Sequence, residues 1–332
     1  MTDRLQAIRA GRTIVVAHSD SEHLWRHADQ LRSSDHTLRE TPHFLVLLPP
    51  NQQHRRAVLM HTFSTTTIDE DLPAMIANEL GPIGVVSTPR EYDATFRAIV
   101  ASTSAASLHC PDCGQPHLDL SAGWRHYGLN TLRRLRSLLS DHVAPSTVQV
   151  YSHIAQFAAV YRRILQCCTG ASLLDVGTSL GLLPILVAER YASMNVVGAD
   201  YRQDAISCAT DLAAAAGAHR VKFIVKDVLT QEFPAVGSFD TVTAVHLLEH
   251  LREDALPLAL TNILSVTAER LIVSVPYEEN VQDLYGHKQL FTPEKLQFWG
   301  NWCVETLGGG QFQCHDVSGG LLIVDRSTNE IA

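Results

Sequence analysis

Ala171-Ser-Leu-Leu-Asp-Val-Gly-Thr-Ser-Leu-Gly181 decides the reading of this chain, together with Val196-Val-Gly-Ala-Asp200 downstream of it. An apolar run ends in a carboxylate, bends through two glycines and enters a helical pattern. A second apolar run then ends in another carboxylate. This order predicts a strand, a tight loop, a helix and a second strand with an acidic tip, the arrangement by which an open α/β sheet holds the adenosine part of a cofactor. The spacing alone fits a dinucleotide site and an S-adenosylmethionine site equally well.

Around this stretch, strand and helix patterns alternate from Ala171 to Asp325 as in a doubly wound sheet. Strands are expected at Ser172–Val176, Asn195–Asp200, Val221–Val225, Thr241–Val245 and Leu271–Val275. A closing hairpin is expected from Phe312–His315 and Leu321–Asp325, which flank Gly319-Gly320. The fold class is therefore α/β, a Rossmann-like doubly wound sheet with a C-terminal antiparallel hairpin, preceded by a smaller α+β N-terminal domain. Three parts are expected: residues 1–120 as the N-terminal domain, 121–170 as a helical connector or lid, and 171–332 as the cofactor-binding domain.

In the first part, strands are read at Thr13–Ala17, His43–Leu48, Ala57–Met60 and Ile83–Val86, and helices at Asp69–Leu80 and Glu91–Ser104. The polar stretch between His18 and Thr41 reads as loop. Cys110-Pro-Asp-Cys113-Gly, with His109 and His117 nearby, offers either two corners of a zinc site or a turn joining two parts. The turn is favoured, because no second Cys-x-x-Cys supplies the remaining ligands. The connector holds two helical patterns, Ala122–His142 and Val148–Cys167. Tyr127, Tyr151 and His153 on them are candidates for covering a ligand, with plain packing the competing role.

A formal charge of -9 speaks against a general nucleic-acid binder, and Arg133, Arg134 and Arg136 read as a solvated helix face. No run reaches the roughly 18 apolar residues of a membrane span. Met1–Arg12 holds charges and no apolar signal core, so seven cysteines fit a reducing cytoplasm. The expected partner is a small-molecule or oligosaccharide acceptor, with no nucleic acid and no membrane, and subunit assembly is left open.

The series Leu173-Leu-Asp-Val-Gly-Thr-Ser-Leu-Gly181, Val197-Gly-Ala-Asp200, Lys226-Asp-Val228 and Phe239-Asp-Thr-Val-Thr-Ala-Val-His-Leu-Leu-Glu-His250 resembles the class I S-adenosylmethionine-dependent methyltransferases. The resemblance implies S-adenosylmethionine as cofactor. It places Gly177 and Gly181 where backbone N–H groups approach the methionine carboxylate at a helix start. Asp175 would hold the cofactor's ammonium, Asp200 the ribose hydroxyls with Tyr201 beside it, and Asp227 the adenine amine with Val228 on the ring. His246 would face the sulfonium methyl. Ser179 stands where the family often has glycine, which serine can replace if its φ is negative.

His246-Leu-Leu-Glu-His250 by itself reads as an inverted zinc-hydrolase motif, with two histidines on one helix face. Its place at a strand end in a cofactor series favours the methyltransferase. Some quinone-biosynthesis methyltransferases bind a divalent metal through a similar Glu-x-x-Glu-His stretch. Here His246 replaces the first glutamate, and Glu249 and His250 are expected instead to cap the following helix, with no metal. His246, His250 and His287 are the candidate catalytic bases, since histidine titrates near neutral pH. Tyr277, Glu278, His287 and Lys288 lie where the family builds its acceptor pocket. A narrower similarity runs through Trp124-x-x-Tyr127-x-x-Asn130-Thr-Leu-Arg133, Phe157-x-x-Val160-Tyr-Arg162, Tyr285-Gly-His287 and Gly319-Gly320. It is to the methyltransferases that act on the mycofactocin oligosaccharide, and it implies O-methylation of a sugar hydroxyl. A methyltransferase fold retained only as an inactive binding subunit is the third class of reading.

Overall fold

The computed structural model describes residues 7–31, 36–50, 56–104, 120–140 and 152–327. Cys110, Cys113, His109, His117 and Tyr151 lie outside the described residues. Contacts divide the chain into two units, Met1–Thr131 and Leu132–Ala332.

In the first unit the elements run β1 (Ala7–Ala10), β2 (Thr13–Ala17), α1 (Ser21–Leu31), β3 (Thr37–Glu40), β4 (Leu45–Leu48), β5 (Ala57–His61), α2 (Leu72–Met75, continued as a π-turn over Ile76–Leu80), α3 (Pro89–Ser104) and the start of α4 (Leu120–Leu139). The sheet order is β1-β2-β5-β4-β3, with only β2 and β5 parallel. Val16, Leu24, Ala28, Leu45, Leu47 and Met60 form a core beneath α1.

Two expectations fail in this unit. Ile83–Val86 is not a strand: it lies in the turn that follows the π-turn, where Gly84 adopts φ +74°. The polar stretch between His18 and Thr41 holds α1 and β3. Only Leu24 and Ala28 of α1 are buried, and β3 is an edge strand, so neither element needs a broad apolar pattern. Tyr127 on α4 is fully buried, and its hydroxyl donates to Glu70 Oε2 at 2.7 Å. Its role is packing within this unit.

The second unit continues with α5 (His153–Cys167), β6 (Ser172–Val176), α6 (Leu182–Arg190), β7 (Asn195–Asp200), α7 (Gln203–Ala215), β8 (Lys222–Val225), β9 (Phe239–Val245), α8 (Leu256–Val266), β10 (Thr267–Val275), α9 (Pro293–Leu307), β11 (Gln311–Asp316) and β12 (Gly320–Asp325). Its sheet order is β11-β12-β10-β9-β6-β7-β8. Strands β6 to β10 are parallel, and the closing hairpin runs antiparallel to them. This is the expected Rossmann-like sheet with its C-terminal hairpin. The interior strands read as continuous apolar runs because helices cover both faces. Leu174, Val176, Val242, Ala244, Leu271, Val273 and Val324 anchor the core.

The site is positioned by connectivity. From β6 the chain moves outward to β7 and β8 on one side, then returns to β9 on the other. The carboxyl ends of β6, β7 and β9 thus flank a switch point, where ligands bind in open α/β sheets. No helix among the described residues is long and apolar enough to cross a membrane.

Candidate functional site

At the switch point, Gly177 (φ +76°) and Gly181 (φ +72°) turn the chain from β6 into α6. A Cβ on Gly177 would stand 2.9 Å from Leu247 Cδ1, and one on Gly181 would stand 2.5 Å from the Phe223 ring. Both positions thus require glycine for backbone conformation and for close packing. Their N–H groups are engaged inside the protein, Gly177 with Ala199 O and Gly181 with Thr178 O, each at 2.8 Å. The glycines therefore shape the loop, and attraction for an anion falls to the amino end of α6, which starts at Leu182. Ser179 departs from the expected negative φ and sits at +50°. Its N–H donates to Asp200 Oδ2 at 3.0 Å, which holds the left-handed turn in place.

Asp200 ends β7, is 8% exposed, and also accepts the Arg202 N–H at 3.0 Å on Oδ1. It thus clamps the glycine loop to the next strand, a structural role absent from the sequence reading, and its carboxylate keeps lone pairs for a ligand. Tyr201 beside it is 67% exposed. Asp227 follows β8 and accepts the Leu229 N–H on Oδ1 at 2.9 Å, while Val228 is buried in the core.

Asp175 is the most deeply buried member of the set, 4% exposed. Cross-strand register pairs it with Thr243 of β9, whose hydroxyl donates to Oδ1 at 2.7 Å. Burial pushes its carboxyl up to about 6; the Thr243 hydrogen bond opposes this and the charge of Asp200 adds to it. Among the described residues no cation influences it, and an ammonium group would be a fitting complement to this carboxylate. The residues at hand therefore fit the methionine end of S-adenosylmethionine.

The folded value lies above that of the unfolded chain, so the charged form opposes folding at neutral pH. At ~1.4 kcal/mol per pH unit, holding it charged without cofactor costs about 3 kcal/mol. This destabilisation disappears as pH falls from about 6 toward the unfolded value. We expect S-adenosylhomocysteine affinity to fall over the same window while thermal stability of the ligand-free protein rises. Asp175→Asn should flatten both trends in calorimetry and melting curves.

His246 leaves β9 at φ +50°, with its N–H still bonded to Ser274 O at 2.9 Å. A non-glycine residue held there is strained, and such strain is typical of side chains aimed for function. The ring lies 5.1 Å from that of Phe157 on α5, and Nδ1 is 3.2 Å from Glu249 Oε1. Leu248–His250 form a single 3-10 turn, so His246 and His250 do not share an α-helical face and the zinc-hydrolase geometry is not met.

Nor does Glu249 cap a helix. It is 1% exposed and neither of its carboxylate oxygens has a hydrogen-bond partner. The segment after β10 secures this turn: Lys288 N–H donates to Glu249 O at 2.7 Å, and buried Gln289 Nε2 donates to Leu248 O and Leu251 O at 3.0 and 2.8 Å. The same segment brings in His287, which is buried, bonds Glu278 Oε2 through Nδ1 at 2.9 Å and meets the exposed His250 edge-to-face at 4.9 Å. Although part of the His250 side chain reaches solvent, the protein packed around its ring desolvates it and, with the neighbouring His287 and His246, holds it below the ordinary histidine range against the pull of Glu249. The three proposed bases thus come together with two carboxylates. Thr243, Glu278 and Phe157 complete the site, and only strand register and loop closure reveal their partners.

Sheet order and motif series define a Rossmann-like cofactor-binding domain. Residues 173–270 match the family described as a methyltransferase domain. No curated protein matches the chain. Among solved structures, it is similar to the methyltransferase domain of bacterial CtHen1 (17% identity, TM-score 0.44, 52% of this chain and 97% of that one). It is also similar to magnesium protoporphyrin IX methyltransferase from Synechocystis (17%, 0.42, 60% and 94%) and to an O-methyltransferase family protein from Burkholderia thailandensis (15%, 0.41, 78% and 94%). All three likenesses are distant.

Proposed function

We propose that the protein transfers the methyl group of S-adenosylmethionine to a hydroxyl of a small glycosidic or natural-product acceptor. The observation that carries this reading is the adjacency of cofactor loop and histidine cluster: Leu247, next to His246, packs where a Gly177 Cβ would stand. In this reading Asp175 takes the ammonium, Asp200 the ribose, and Asp227 the adenine amine, with Tyr201 closing over the nucleoside from the surface. The cofactor supplies an activated methyl on a sulfonium.

His246 is the residue placed to act as base, with the Glu249 carboxylate 3.2 Å from its Nδ1 to favour the charged imidazolium. An acceptor oxygen aligned behind the methyl at roughly 3–3.5 Å forms the new C–O bond. The S–C electron pair returns to sulfur, and the hydroxyl proton passes to the imidazole. Phe157 and His153 of α5 line this side, His153 lying 6.2 Å from the Tyr285 ring, and they would keep water out. A sugar hydroxyl is the acceptor suggested by the similarity to the mycofactocin-associated enzymes, and the polar Tyr277–Lys288 segment suits it.

The test is label transfer from methyl-labelled S-adenosylmethionine to a panel of free glucosides, their fully O-blocked counterparts, and amine or thiol acceptors. Label confined to free hydroxyl acceptors is expected. Transfer to amines or thiols in preference would refute the O-methyl assignment.

A further inference from the structure

We infer that Glu249, His250 and His287 form a binding site for one divalent transition-metal ion. One ligand atom from each comes within 4.8 Å of the other two. An ion held at roughly 2.1 Å from its donors keeps them closer together than that. Small side-chain rotations therefore complete the site.

Three further observations point to a cation here. The Glu249 carboxylate is 1% exposed, with no hydrogen-bond donor on either oxygen. No lysine or arginine pairs with it among the described residues; its sole ion-pair neighbour is His246 Nδ1 at 3.2 Å. A buried anion without donors is costly, and a bound cation is the usual remedy. Second, His287 gives Nδ1 to Glu278 Oε2 at 2.9 Å, which leaves Nε2 free. A histidine fixed by a carboxylate behind it is the outer-shell arrangement that orients metal-ligating imidazoles. Third, the ligands sit on two segments locked together by backbone and Gln289 hydrogen bonds, so the site is built before any ion arrives.

Two imidazoles and one carboxylate select zinc, manganese, iron(II) or cobalt over magnesium or calcium. One Glu249 oxygen would face the ion while the carboxylate keeps its place 3.2 Å from His246 Nδ1. At that place the ion would also take the acceptor's hydroxyl oxygen as a ligand and lower its pKa. That role rests on the methyl-transfer reading, whereas ion binding does not.

The experiment is titration of the chelator-treated full chain with Mn2+, followed by electron paramagnetic resonance, with S-adenosylhomocysteine binding measured on the same samples. One Mn2+ per chain is expected, with nitrogen couplings from imidazole. Glu249→Gln or His287→Asn should abolish that signal, and Glu278→Gln should weaken binding about 10–100-fold. Cys110→Ser with Cys113→Ser should leave it unchanged, separating this site from the cysteine knuckle. Mn2+ should also raise the melting temperature of the unsubstituted protein, a readout that needs no variant.

The inference is overturned if wild type binds Mn2+, Zn2+ and Co2+ no better than Glu249→Gln does, or if bound Mn2+ shows no imidazole nitrogen. Loss of metal binding with retained S-adenosylhomocysteine binding would refute the metal site alone. The reverse result would leave the metal site standing and refute the methyltransferase reading.

Discussion

Replacing His246 with alanine is expected to lower kcat by about 10²–10⁴-fold, the usual contribution of a positioned general base, with little change in S-adenosylhomocysteine affinity. Alanine accepts the same left-handed backbone at similar cost, so the fold should persist. His246→Gly separates the ring from the strain. Glycine relaxes the φ +50° backbone but supplies no base, so it should be as slow as alanine and no less stable. Steady-state kinetics with a labelled donor reads both. Wild-type rates in the two variants would remove His246 from the chemistry and leave His250 and His287 as the remaining imidazoles.

Asp200→Ala should weaken S-adenosylhomocysteine binding by about 100-fold or more. In the proposed reading two charge-assisted hydrogen bonds to ribose would be lost, each worth about 1.5–3 kcal/mol. The loss is compounded within the protein, since Ser179 N–H and Arg202 N–H also surrender their acceptor. A lower melting temperature should therefore accompany the affinity change. Asp200→Asn keeps an acceptor oxygen and should recover part of the stability while remaining a poor ribose ligand. Equal affinity in all three proteins would show that Asp200 serves only the loop.

What was legible in the sequence follows a physical pattern. The interior strands of the second unit, β6, β7, β9, β10 and β12, are largely buried on both faces, so each appears as an apolar run, and β6 and β7 carry the carboxylates Asp175 and Asp200 at or next to their carboxyl ends. Gly319-Gly320 marks the closing hairpin for a conformational reason: the turn needs positive φ, seen at Ser318 and Gly319. Elements of the first unit that are half exposed, α1 and β3, carry too narrow an apolar stripe to be seen.

The candidate site residues could be picked from the sequence, but not how they pair. Asp175 meets Thr243 only through sheet register, and His287 reaches Glu249 and His250 only because Gln289 and Lys288 lock two distant segments. The positive φ of Ser179 also has no local signal, since its N–H bond to Asp200 joins positions separated by a whole helix.

Calorimetric titration of the unsubstituted chain with S-adenosylhomocysteine at neutral pH most directly tests whether acidic strand tips and a glycine turn grip a sulfonium nucleoside. One saturable site per chain is predicted, weakened on acidification below about pH 6 as Asp175 takes a proton. A folded protein that gives no binding heat at several temperatures, and no melting shift with the ligand, would contradict the account.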